Sequence, residues 1–499
     1  MLVGQQGYVP EQYFLTETLR SQARFHDPQQ ESLFSNSSSA YLPSLITPRS
    51  TVPGGTGSRS IRYAILEWNP LLDSSNIEID DWVRIATEIE LNYAFDAFLV
   101  LHGTDTMAYT ASALSFMLED LGKTVILTGA QIPMSQLRND AVDNFIGALT
   151  IAGHYIIPEE CSIYFNHTLY RGNRTSKLSS YDLSAFSSPN FPPLVDVGIE
   201  IVVNWNNVLR QTGVRRFRAH KQMSPHVANL RLFPGVSAAT IKAFFSPPIR
   251  GVILETFGAG NAPQRSDLLQ VFKEACDRGV IVVSITQCIK GSVSDTYETG
   301  RALLQAGVVP GNDMTPECAL TKLGYLLSKP ELSTVEVRDL MMTSLRGELT
   351  RHSRTALSNP PVERTLESIQ DVLYEFDGTE EPHKTMNVVG GVVNCADPTN
   401  GQTPLHAACL NGAVQAVDLL LRNGALVHLR DSLEHTSLYY AARQGHEDIV
   451  ENLLQAGATL GSVDEPFAIV RLKTALLVGD QTAKRIWRKA GVWREYEAC

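Results

Sequence analysis

The sequence predicts an α/β protein: a doubly wound parallel sheet, then a second and smaller α/β domain, then an α-helical repeat tail. Three observations support this prediction. From Arg62 onward, short apolar runs alternate with amphipathic segments, as expected of buried strands covered by helices. A second series of strand-to-loop passages begins after about residue 225. A short motif near residue 403 returns near residue 436, which indicates a repeat array.

The first α/β unit contains three apolar runs that predict buried strands, at 94–103, 124–130 and 161–165. Two sets of apolar residues between them are spaced as helix faces: Met107, Ala111, Leu114, Met117 and Leu118, then Leu137, Val142, Phe145, Ile146 and Leu149. Strands that alternate with helices in this way form a doubly wound sheet. Its ligand site is then expected at the carboxyl ends of the strands.

The second unit is predicted from strand-to-loop passages at 251–263 and 280–288, which are separated by a helix around 265–278. Another helix is predicted over 315–328. Thr315 can cap this helix, and a proline follows at its first position.

Composition sets the boundaries between these parts. Residues 35–60 are rich in Ser, Pro and Gly without periodicity, and residues 350–395 combine mixed charge with a Pro-Pro and a Gly-Gly pair. The predicted parts are an irregular segment at 1–60, α/β domains at 61–225 and 226–350, a linker at 351–395 and repeats at 396–490.

Limited proteolysis tests the predicted linker. Because a polar linker lets the α/β body fold without the tail, we expect cleavage between about 350 and 395 and a stable two-domain product. Mass spectrometry of the products identifies the cut. Cleavage within 100–340 instead would show that the boundary is wrong.

The tail carries an internal repeat. TPLHAA at 403–408 returns as TSLYYAA at 436–442, so that Thr403 and Thr436 stand one ankyrin period, about 33 residues, apart. Two full ankyrin repeats are fewer than the three or more that usually give a stable stack. The helical segment at 468–490 is therefore expected to complete the stack, or the stack leans on the α/β body. A protein partner is predicted for these repeats.

Composition also excludes several classes of protein. The 43% apolar and 19% charged content is that of an ordinary globular chain. A net charge of −11 argues against a nucleic-acid surface and against a patch for anionic membranes. No apolar run approaches the ~18 residues of a transmembrane helix, and the N-terminus does not resemble a signal peptide. No nucleic-acid or membrane partner is therefore predicted.

The cysteines predict an intracellular protein. The seven cysteines are scattered and form no CxxC pair, which fits reduced thiols better than a disulfide framework or a zinc site. We therefore expect a cytoplasmic location. Since the sequence contains no phosphate-binding glycine loop, nucleotide fingerprint or metal-ligand cluster, no cofactor and no metal are predicted.

Four short passages carry residues suited to chemistry: HGTDTM at 102–107, RGNRTSK at 171–177, PLLDSSN at 70–76 and GAGNAP at 258–263. Each has a plain structural alternative when it is taken alone. Thr104 with Asp105 could cap a helix, and Lys177 could be a solvated charge. Ser74 and its neighbour could cap the helix predicted at 78–91.

Together, the order and context of these passages resemble the cytoplasmic (type I) L-asparaginases, and more closely the animal proteins that join such an enzyme to ankyrin repeats. The resemblance covers about 60–350 and includes LTGAQIPMSQLRND, SPNFPPL, TQC and LRGELT. It implies the two-domain asparaginase fold, hydrolysis of asparagine by a threonine nucleophile, and a homo-oligomer. Some ankyrin-fused relatives carry a lysophospholipase name, but no GxSxG nucleophile motif occurs here.

The resemblance also implies catalytic roles by position. Thr104, Lys177 and Asp105 match a triad in which the lysine activates the threonine hydroxyl and the carboxylate orients the lysine. Thr104 and Asp105 are also implied to contact the substrate, Asp105 through the α-ammonium group. If Lys177 is buried beside Asp105, Lys177→Met would leave an unpaired buried anion and cost a few kcal/mol of stability.

The remaining implied roles concern substrate binding and a loop. Asp73, Ser74 and Ser75 match the loop that binds the substrate α-carboxylate. Asn261 matches a residue that completes the site from a neighbouring subunit, and Tyr8 matches a tyrosine that assists the nucleophile. This set suits a zwitterionic substrate, which needs an anion and hydrogen-bond donors around the attacking hydroxyl.

The family has a further catalytic threonine, in a TGGTIG passage after the first strand, that has no counterpart here. Since the Tyr8 segment matches the family segment just after that passage, the chain is expected to begin just downstream of it, and to lack activity and fold poorly in its first domain. Either the sequence is incomplete or it is a natural form without that threonine. Thr56 in GGTG is rejected as a substitute because no buried strand leads into it.

Two functions from different classes stay open. The first is an amidohydrolase that acts on asparagine. The second is an inactive asparaginase-like scaffold that binds a protein partner through its ankyrin repeats. Ammonia release from asparagine separates them.

Overall fold

A computed structural model gives the fold of the chain. It describes residues 2–4, 7–29, 44–51, 58–155, 157–158, 161–204, 207–209, 216–293, 298–350, 393–394, 396–397, 400–461 and 463–492. The rejected candidate Thr56 and nearly all of the predicted linker lie outside these ranges. Within them, no helix combines the length and the hydrophobicity needed to cross a bilayer.

The first α/β unit contains a large sheet with helices on both sides. Its helices are α1 (Phe14–Ser21), α2 (Ile79–Leu91), α3 (Met107–Met117) and α4 (Ala141–His154). Its strands are β1 (Leu2–Gly4), β2 (Gly7–Val9), β3 (Ser44–Ile46), β4 (Ser50–Thr51), β5 (Ser58–Arg59), β6 (Arg62–Ala64), β7 (Ala97–Leu101), β8 (Leu118–Glu119), β9 (Thr124–Thr128), β10 (Cys161–Phe165), β11 (Thr168–Arg171), β12 (Ser176–Lys177), β13 (Phe186–Ser187), β14 (Val195–Val197), β15 (Ile201–Val203) and β16 (Arg218–Ala219).

The three strands predicted from apolar runs form one half of this sheet. Its order is β15-β14-β11-β10-β9-β7, and β7, β9 and β10 pair in parallel. On the other side of β10, β11, β14 and β15 continue the sheet in antiparallel pairs, so that the sheet is mixed. The predicted parallel core is confirmed, with an antiparallel extension.

Alternating side chains of β9 show that the sheet is covered on both faces. Val125 and Leu127 pack in the cluster that contains α3, whereas Ile126 packs with residues of α4. Successive side chains of a strand point to opposite faces, so α3 and α4 lie on opposite sides of the sheet. This arrangement confirms the doubly wound prediction.

Both predicted helices of this unit exist, with one difference at the start of α4. Leu137 is fully exposed and precedes the helix, which begins at Ala141. The Asp140 carboxylate instead accepts hydrogen bonds from the backbone of Gln131 and Ile132. The residues before α4 therefore form a loop that Asp140 stabilises. Leu137 fits the apolar spacing of the predicted helix but belongs to this loop.

The second unit has a four-stranded parallel sheet and matches its prediction. The strands are β17 (Val227–Arg231), β18 (Gly251–Thr256), β19 (Ile281–Thr286) and β20 (Val309–Pro310). The helices are α5 (Ala238–Phe244), α6 (Ser266–Asp277), α7 (Glu298–Gln305), α8 (Pro316–Leu327) and α9 (Thr334–Met342). As predicted, the Thr315 side chain caps α8 by accepting from the Cys318 N–H.

Helix α3 joins the two units. Ten of its residues are buried, because α3 lies between the first sheet and α8 of the second unit. The sequence spacing predicted one apolar face for this segment. Packing on two sides explains why small residues such as Ala113 and Ser112 also become buried.

The prediction that residues 1–60 are irregular is wrong in part. Helix α1 forms there, and β3 pairs with β6. Leu19, Phe25 and Leu45 are completely buried against Phe145 of α4. The local composition favours a loop, but contact with α4 supplies the apolar partner that this segment lacks on its own.

The tail is a stack of helices. They are α10 (Pro404–Asn411), α11 (Val414–Arg422), α12 (Ser437–Gln444), α13 (Glu447–Gln455), α14 (Asp464–Val478) and α15 (Gln481–Lys489). Thr403 and Thr436 occupy equivalent cap positions before α10 and α12. Ile486 and Trp487 of α15 pack in the core of the stack, so the segment at 468–490 does extend it.

The tail also contacts the α/β body. Arg430 pairs with Asp96 at 2.7 Å, and His428 packs edge-on against Tyr93 with ring centroids 6.3 Å apart. The buried Lys123 ammonium lies under the same ring and donates to the carbonyl oxygens of Tyr93 and Phe95. The segment at 468–490 therefore extends the stack, and the stack also contacts the α/β body. The sequence leaves these two outcomes as alternatives.

This contact should depend on pH through His428. Burial, together with the charges of Lys123 and Arg430, lowers the pKa of His428 well below its usual range. Tyr93 also faces His428, and Asp96 pairs with Arg430. In a released tail, the exposed imidazole of His428 would titrate near pH 6.5. Because the released form takes up this proton before the docked form does, docking is fully stable above about pH 6.5 and weakens as the pH falls below it.

Hydrogen-exchange protection factors around 93–96 and 428–430, compared at about pH 7.5 and about pH 5.5, measure the effect. Protection should fall at the lower pH in the native chain. A His428→Gln variant removes the titrating group and should show a flatter response. Equal pH responses in both chains would contradict the prediction.

Candidate active site

The candidate site lies at the carboxyl ends of two parallel strands. Strand β7 leads into Gly103, Thr104 and Asp105 before α3 begins, and its neighbour β9 leads into Gln131. The Thr104 hydroxyl donates to Gln131 Oε1 at 3.1 Å. Parallel strands bring their carboxyl ends to one edge of a sheet, which is where the sequence predicted the ligand site.

Lys177 reaches this edge from β12. Its ammonium nitrogen lies 2.8 Å from Thr104 Oγ1 and 2.7 Å from Asp105 Oδ1. The Lys177 side chain is only 17% exposed, whereas that of Asp105 is 65% exposed. The structure thus joins the three residues that the resemblance named as a triad.

Thr104 and Asp105 are not the cap of α3. The cap residue is Thr106, and it makes no side-chain cap hydrogen bond. Instead, the Thr106 hydroxyl donates to the carbonyl oxygen of Ser74 at 2.7 Å. The capping alternative for Thr104 and Asp105 is therefore wrong, and their side chains face Lys177 and Gln131.

The loop with Asp73, Ser74 and Ser75 lies beside Gly103. Ser74 is buried, and a Cβ on Gly103 would come within 2.4 Å of the Ser74 hydroxyl. Only glycine at 103 permits so close an approach of the two loops. The helix α2 is capped by Glu78, not by the serines, so the capping alternative for this loop is also wrong.

Asp73 has a structural partner in this loop. Its carboxylate accepts from the Ser75 backbone at 2.9 Å and from the Ser75 hydroxyl at 2.7 Å, and these two bonds lower the pKa of Asp73. They shape the short 3₁₀ turn Ser74–Asn76. Ser75 is exposed on this turn and is accessible to a ligand.

Asn261 and Tyr8 belong to two other segments: a turn in the second α/β unit and the strand β2 near the N-terminus. Asn261 closes a tight turn after β18, where its carbonyl and N–H both bond to the backbone of Phe257. Tyr8 lies in β2, which pairs with β1 in a hairpin. The roles given to these two residues stay predictions.

Two further residues support the site and were not singled out from the sequence. Gln131 belongs to the LTGAQIP passage, so the resemblance held the only signal for it. His102 donates from Nδ1 to the carbonyl oxygen of Gly103 at 2.6 Å and accepts at Nε2 from the Thr110 hydroxyl at 2.9 Å. Burial lowers the pKa of His102, which keeps the ring neutral behind Thr104.

Among the described residues, no group of three His, Cys, Asp or Glu side chains is arranged to hold a metal ion. The chemistry available here is proton transfer between a lysine amine and a threonine hydroxyl, with a carboxylate beside the amine. The prediction that the chain needs no cofactor stays a prediction.

Comparisons with known proteins show which family the chain belongs to. Residues 22–209 match the family model "Asparaginase, N-terminal", and 226–341 match "Glutaminase/Asparaginase C-terminal domain". The chain is 36% identical to an L-asparaginase of Dirofilaria immitis over 505 residues, covering 97% of this chain and 84% of the relative. The chain belongs to the asparaginase family. This asparaginase-family protein also carries ankyrin repeats, whose model matches 382–464.

A second relative and a solved structure extend the comparison. The 60 kDa lysophospholipase of Mus musculus is 39% identical over 444 residues, which cover 89% of this asparaginase-family chain and 74% of the relative. The crystal structure of L-asparaginase I from Vibrio cholerae has a TM-score of 0.59 and 42% identity, and the match covers 70% of this chain and 96% of that chain. Family, fold and ankyrin tail predicted from the sequence are confirmed.

Proposed function

We propose that this chain hydrolyses the side-chain amide of asparagine to aspartate and ammonia, with Thr104 as the nucleophile in place of the TGGTIG threonine. The expectation that the chain is inactive without that threonine stays a prediction, and the assay below decides between the two. The observation that carries the proposal is the position of the Lys177 amine, 2.8 Å from the Thr104 hydroxyl and 2.7 Å from Asp105. A threonine hydroxyl attacks only when a base takes its proton, and a neutral lysine is such a base. The L-asparaginase relatives support asparagine as the substrate.

Proton transfer starts the proposed reaction. Once the Lys177 ammonium has lost a proton to water, the Thr104 hydroxyl turns from Gln131 toward the neutral amine. The amine accepts the Thr104 proton while Asp105 holds it in place. The alkoxide then adds to the amide carbon itself, or takes a proton from a water molecule that adds instead. A C–O bond forms, the C–N bond breaks, and ammonia leaves with the proton returned by Lys177. Where Thr104 has formed an ester, water hydrolyses it to aspartate.

Substrate binding in this proposal uses the exposed groups around Thr104. The Asp105 carboxylate is largely accessible and can accept a second partner, the α-ammonium of the substrate. Ser75, on the turn that Asp73 shapes, is exposed toward solvent. Its hydroxyl would turn from Asp73 to donate to the α-carboxylate, together with Ser74. Asn261 of a second subunit would complete the site, which requires a homo-oligomer.

Ammonia release tests the proposal. The purified protein is assayed with asparagine, with glutamine, and with a lysophospholipid as an ester substrate. We expect ammonia from asparagine, lost in Thr104→Val and retained in Thr474→Val, which removes a hydroxyl from an exposed tail helix. Fatty-acid release without ammonia release would overturn the proposal in favour of the activity for which the mouse relative is named.

The same proposal includes a cytoplasmic location, a protein partner for the ankyrin tail and the domain boundaries predicted from the sequence. Cys276, Cys288, Cys318 and Cys409 are free thiols, which supports a reducing compartment such as the cytoplasm. Helix α14 exposes Phe467, Val470 and Leu477, which suits a protein partner of the ankyrin stack. Cell fractionation and sedimentation analysis test the location and the homo-oligomer.

A further inference from the structure

The segment that carries Lys177 is fastened to the second α/β unit. Its polar side chains at 171, 173 and 174 are almost completely buried. Arg171 donates to the carbonyl oxygen of Gly347 at 2.7 Å, and Asn173 donates to that of Arg346 at 2.8 Å. Although 171–177 follows the first sheet along the chain, residues more than 170 positions away hold it.

Arg174 makes the most extensive of these contacts. Its guanidinium binds both oxygens of the Asp313 carboxylate, at 3.2 and 2.6 Å, and donates to the Thr350 hydroxyl at 2.8 Å. It also donates to the carbonyl oxygens of Glu348 and of Asn190. A buried two-point pair of this kind fixes both the position and the orientation of the arginine.

Asp313 pairs with Arg174 in its ionised form. Burial raises the pKa of its carboxyl group, but hydrogen bonds from Arg174 and Thr350 outweigh burial and leave the pKa below its usual range. Asp313 is therefore ionised at neutral pH. It lies in the turn just before α8, whose first residue is Pro316.

A second carboxylate, that of Glu317 in α8 itself, binds the residue next to Lys177. The Ser176 hydroxyl donates to Glu317 Oε2 at 2.9 Å. Glu317 lies in the first turn of α8 and is half-buried. Lys177 thus directly follows the anchored Ser176 and lies three residues after the anchored Arg174. The two anchors, Asp313 and Glu317, lie in the turn before α8 and in its first turn.

From this geometry we infer that Asp313 and Glu317 are positioning residues for Lys177, acting through Arg174 and Ser176. The inference rests on the proposed function. Neither carboxylate touches Thr104, and their effect is to keep the Lys177 amine within 2.8 Å of the hydroxyl. A displacement of about 1 Å between reacting groups can cost roughly 100-fold in rate, so such anchors matter for the reaction.

The first test compares native protein with Asp313→Asn and Ser176→Ala. Asp313→Asn should lower kcat for asparagine by about 100-fold, with KM changed by less than about 3-fold, since Lys177 is displaced and the substrate contacts are not. Ser176→Ala removes one anchor and should lower kcat by about 10-fold. Glu274→Gln removes a carboxylate charge from an exposed pair with Lys242 in the same unit and should leave kcat unchanged.

The pH profile separates positioning from a general loss of structure. Partial unfolding would lower the rate equally at every pH. Displacement of Lys177 from Asp105 and Thr104 changes the environment of the base, so the pH at which kcat is half-maximal should shift in Asp313→Asn. An Asp313→Glu variant keeps the charge and should recover part of the rate. Native kcat and an unshifted profile in Asp313→Asn would overturn the Asp313 half of the inference.

Two further cases need their own test: an Asp313→Asn variant that does not fold, and a native chain without activity. If Asp313→Asn does not fold, Ser176→Ala decides, and an unchanged kcat in that variant overturns the inference. If the native chain itself releases no ammonia, the proposed function fails first. A crystal structure of Ser176→Ala then decides the positioning claim on its own: an unchanged distance from Lys177 Nζ to Thr104 Oγ1 would refute it.

Discussion

Replacing Lys177 with methionine is expected to lower kcat for asparagine by about 1,000-fold, because the only amine bonded to the Thr104 hydroxyl in the described structure is removed. KM should change little. Methionine fills a similar volume but cannot accept the Thr104 proton. Initial rates of ammonia release over a range of asparagine concentrations give both constants.

The same variant should melt almost as the native protein does. The sequence alone leads us to expect a large loss of stability only if Lys177 is buried beside Asp105, since an unpaired buried anion would then remain. In the structure, however, Asp105 is 65% exposed and stays hydrated when the lysine is lost. A surface ion pair of this kind contributes little to stability. A large destabilisation is therefore not expected, because the anion that remains is exposed.

Lys242→Met is the matched control, since it breaks an exposed ion pair with Glu274 far along the chain from Thr104. It should leave kcat unchanged. If Lys177→Met retains more than about a tenth of the native kcat, Lys177 is not the base. If it also unfolds the protein, Lys177 has a structural role that its exposed partner does not predict.

The largest loss of stability is expected from Lys322→Met. Lys322 and Glu348 are completely buried, and their charged atoms are 2.5 Å apart. Removing the lysine leaves Glu348 as an uncompensated buried charge, which typically costs about 3–5 kcal/mol of unfolding free energy. Lys322 also donates to the backbone carbonyls of Met341 and Thr343, and those bonds are lost as well. Urea unfolding at neutral pH measures the difference.

The cost of Lys322→Met should shrink as the pH falls. In the native protein, burial raises the pKa of Glu348, but Lys322 and the N–H groups of Leu345 and Arg346 outweigh burial and lower it. The native pair therefore stabilises the fold above about pH 4.5 and loses its effect as the pH falls through the lowered pKa. Without the lysine, burial favours the protonated carboxyl, so the variant is penalised most at neutral pH.

Comparing unfolding free energies at about pH 7 and about pH 5 tests this sign. Lys242→Met should behave as the native protein does at both values. A penalty that is equal at both values, or that grows toward pH 5, would show that the buried charge is not its source. The double variant Lys322→Met with Glu348→Gln should recover part of the loss, because no unpaired charge remains.

The sequence by itself determined the order of the parallel core strands, the two α/β units and the ankyrin tail, and it named the three residues that meet at the site. Apolar runs predicted β7, β9 and β10, and the Thr–Pro motif predicted the ankyrin helices. These features depend on local periodicity and short motifs, which a single chain displays directly. Thr104, Asp105 and Lys177 came from a resemblance whose passages are continuous, and the structure brings all three together.

Tertiary structure decided the features that need contacts between distant residues. No local pattern shows that Asp105 is exposed, that Gln131 accepts from Thr104, or that Arg174 is paired with Asp313, which is 139 positions away. Helix α1 is a further case, because its segment reads as a loop until α4 covers Leu19. Burial and ion pairing are properties of the packed chain, so which carboxylate is hydrated and which is enclosed depends on neighbours that sequence spacing does not reveal.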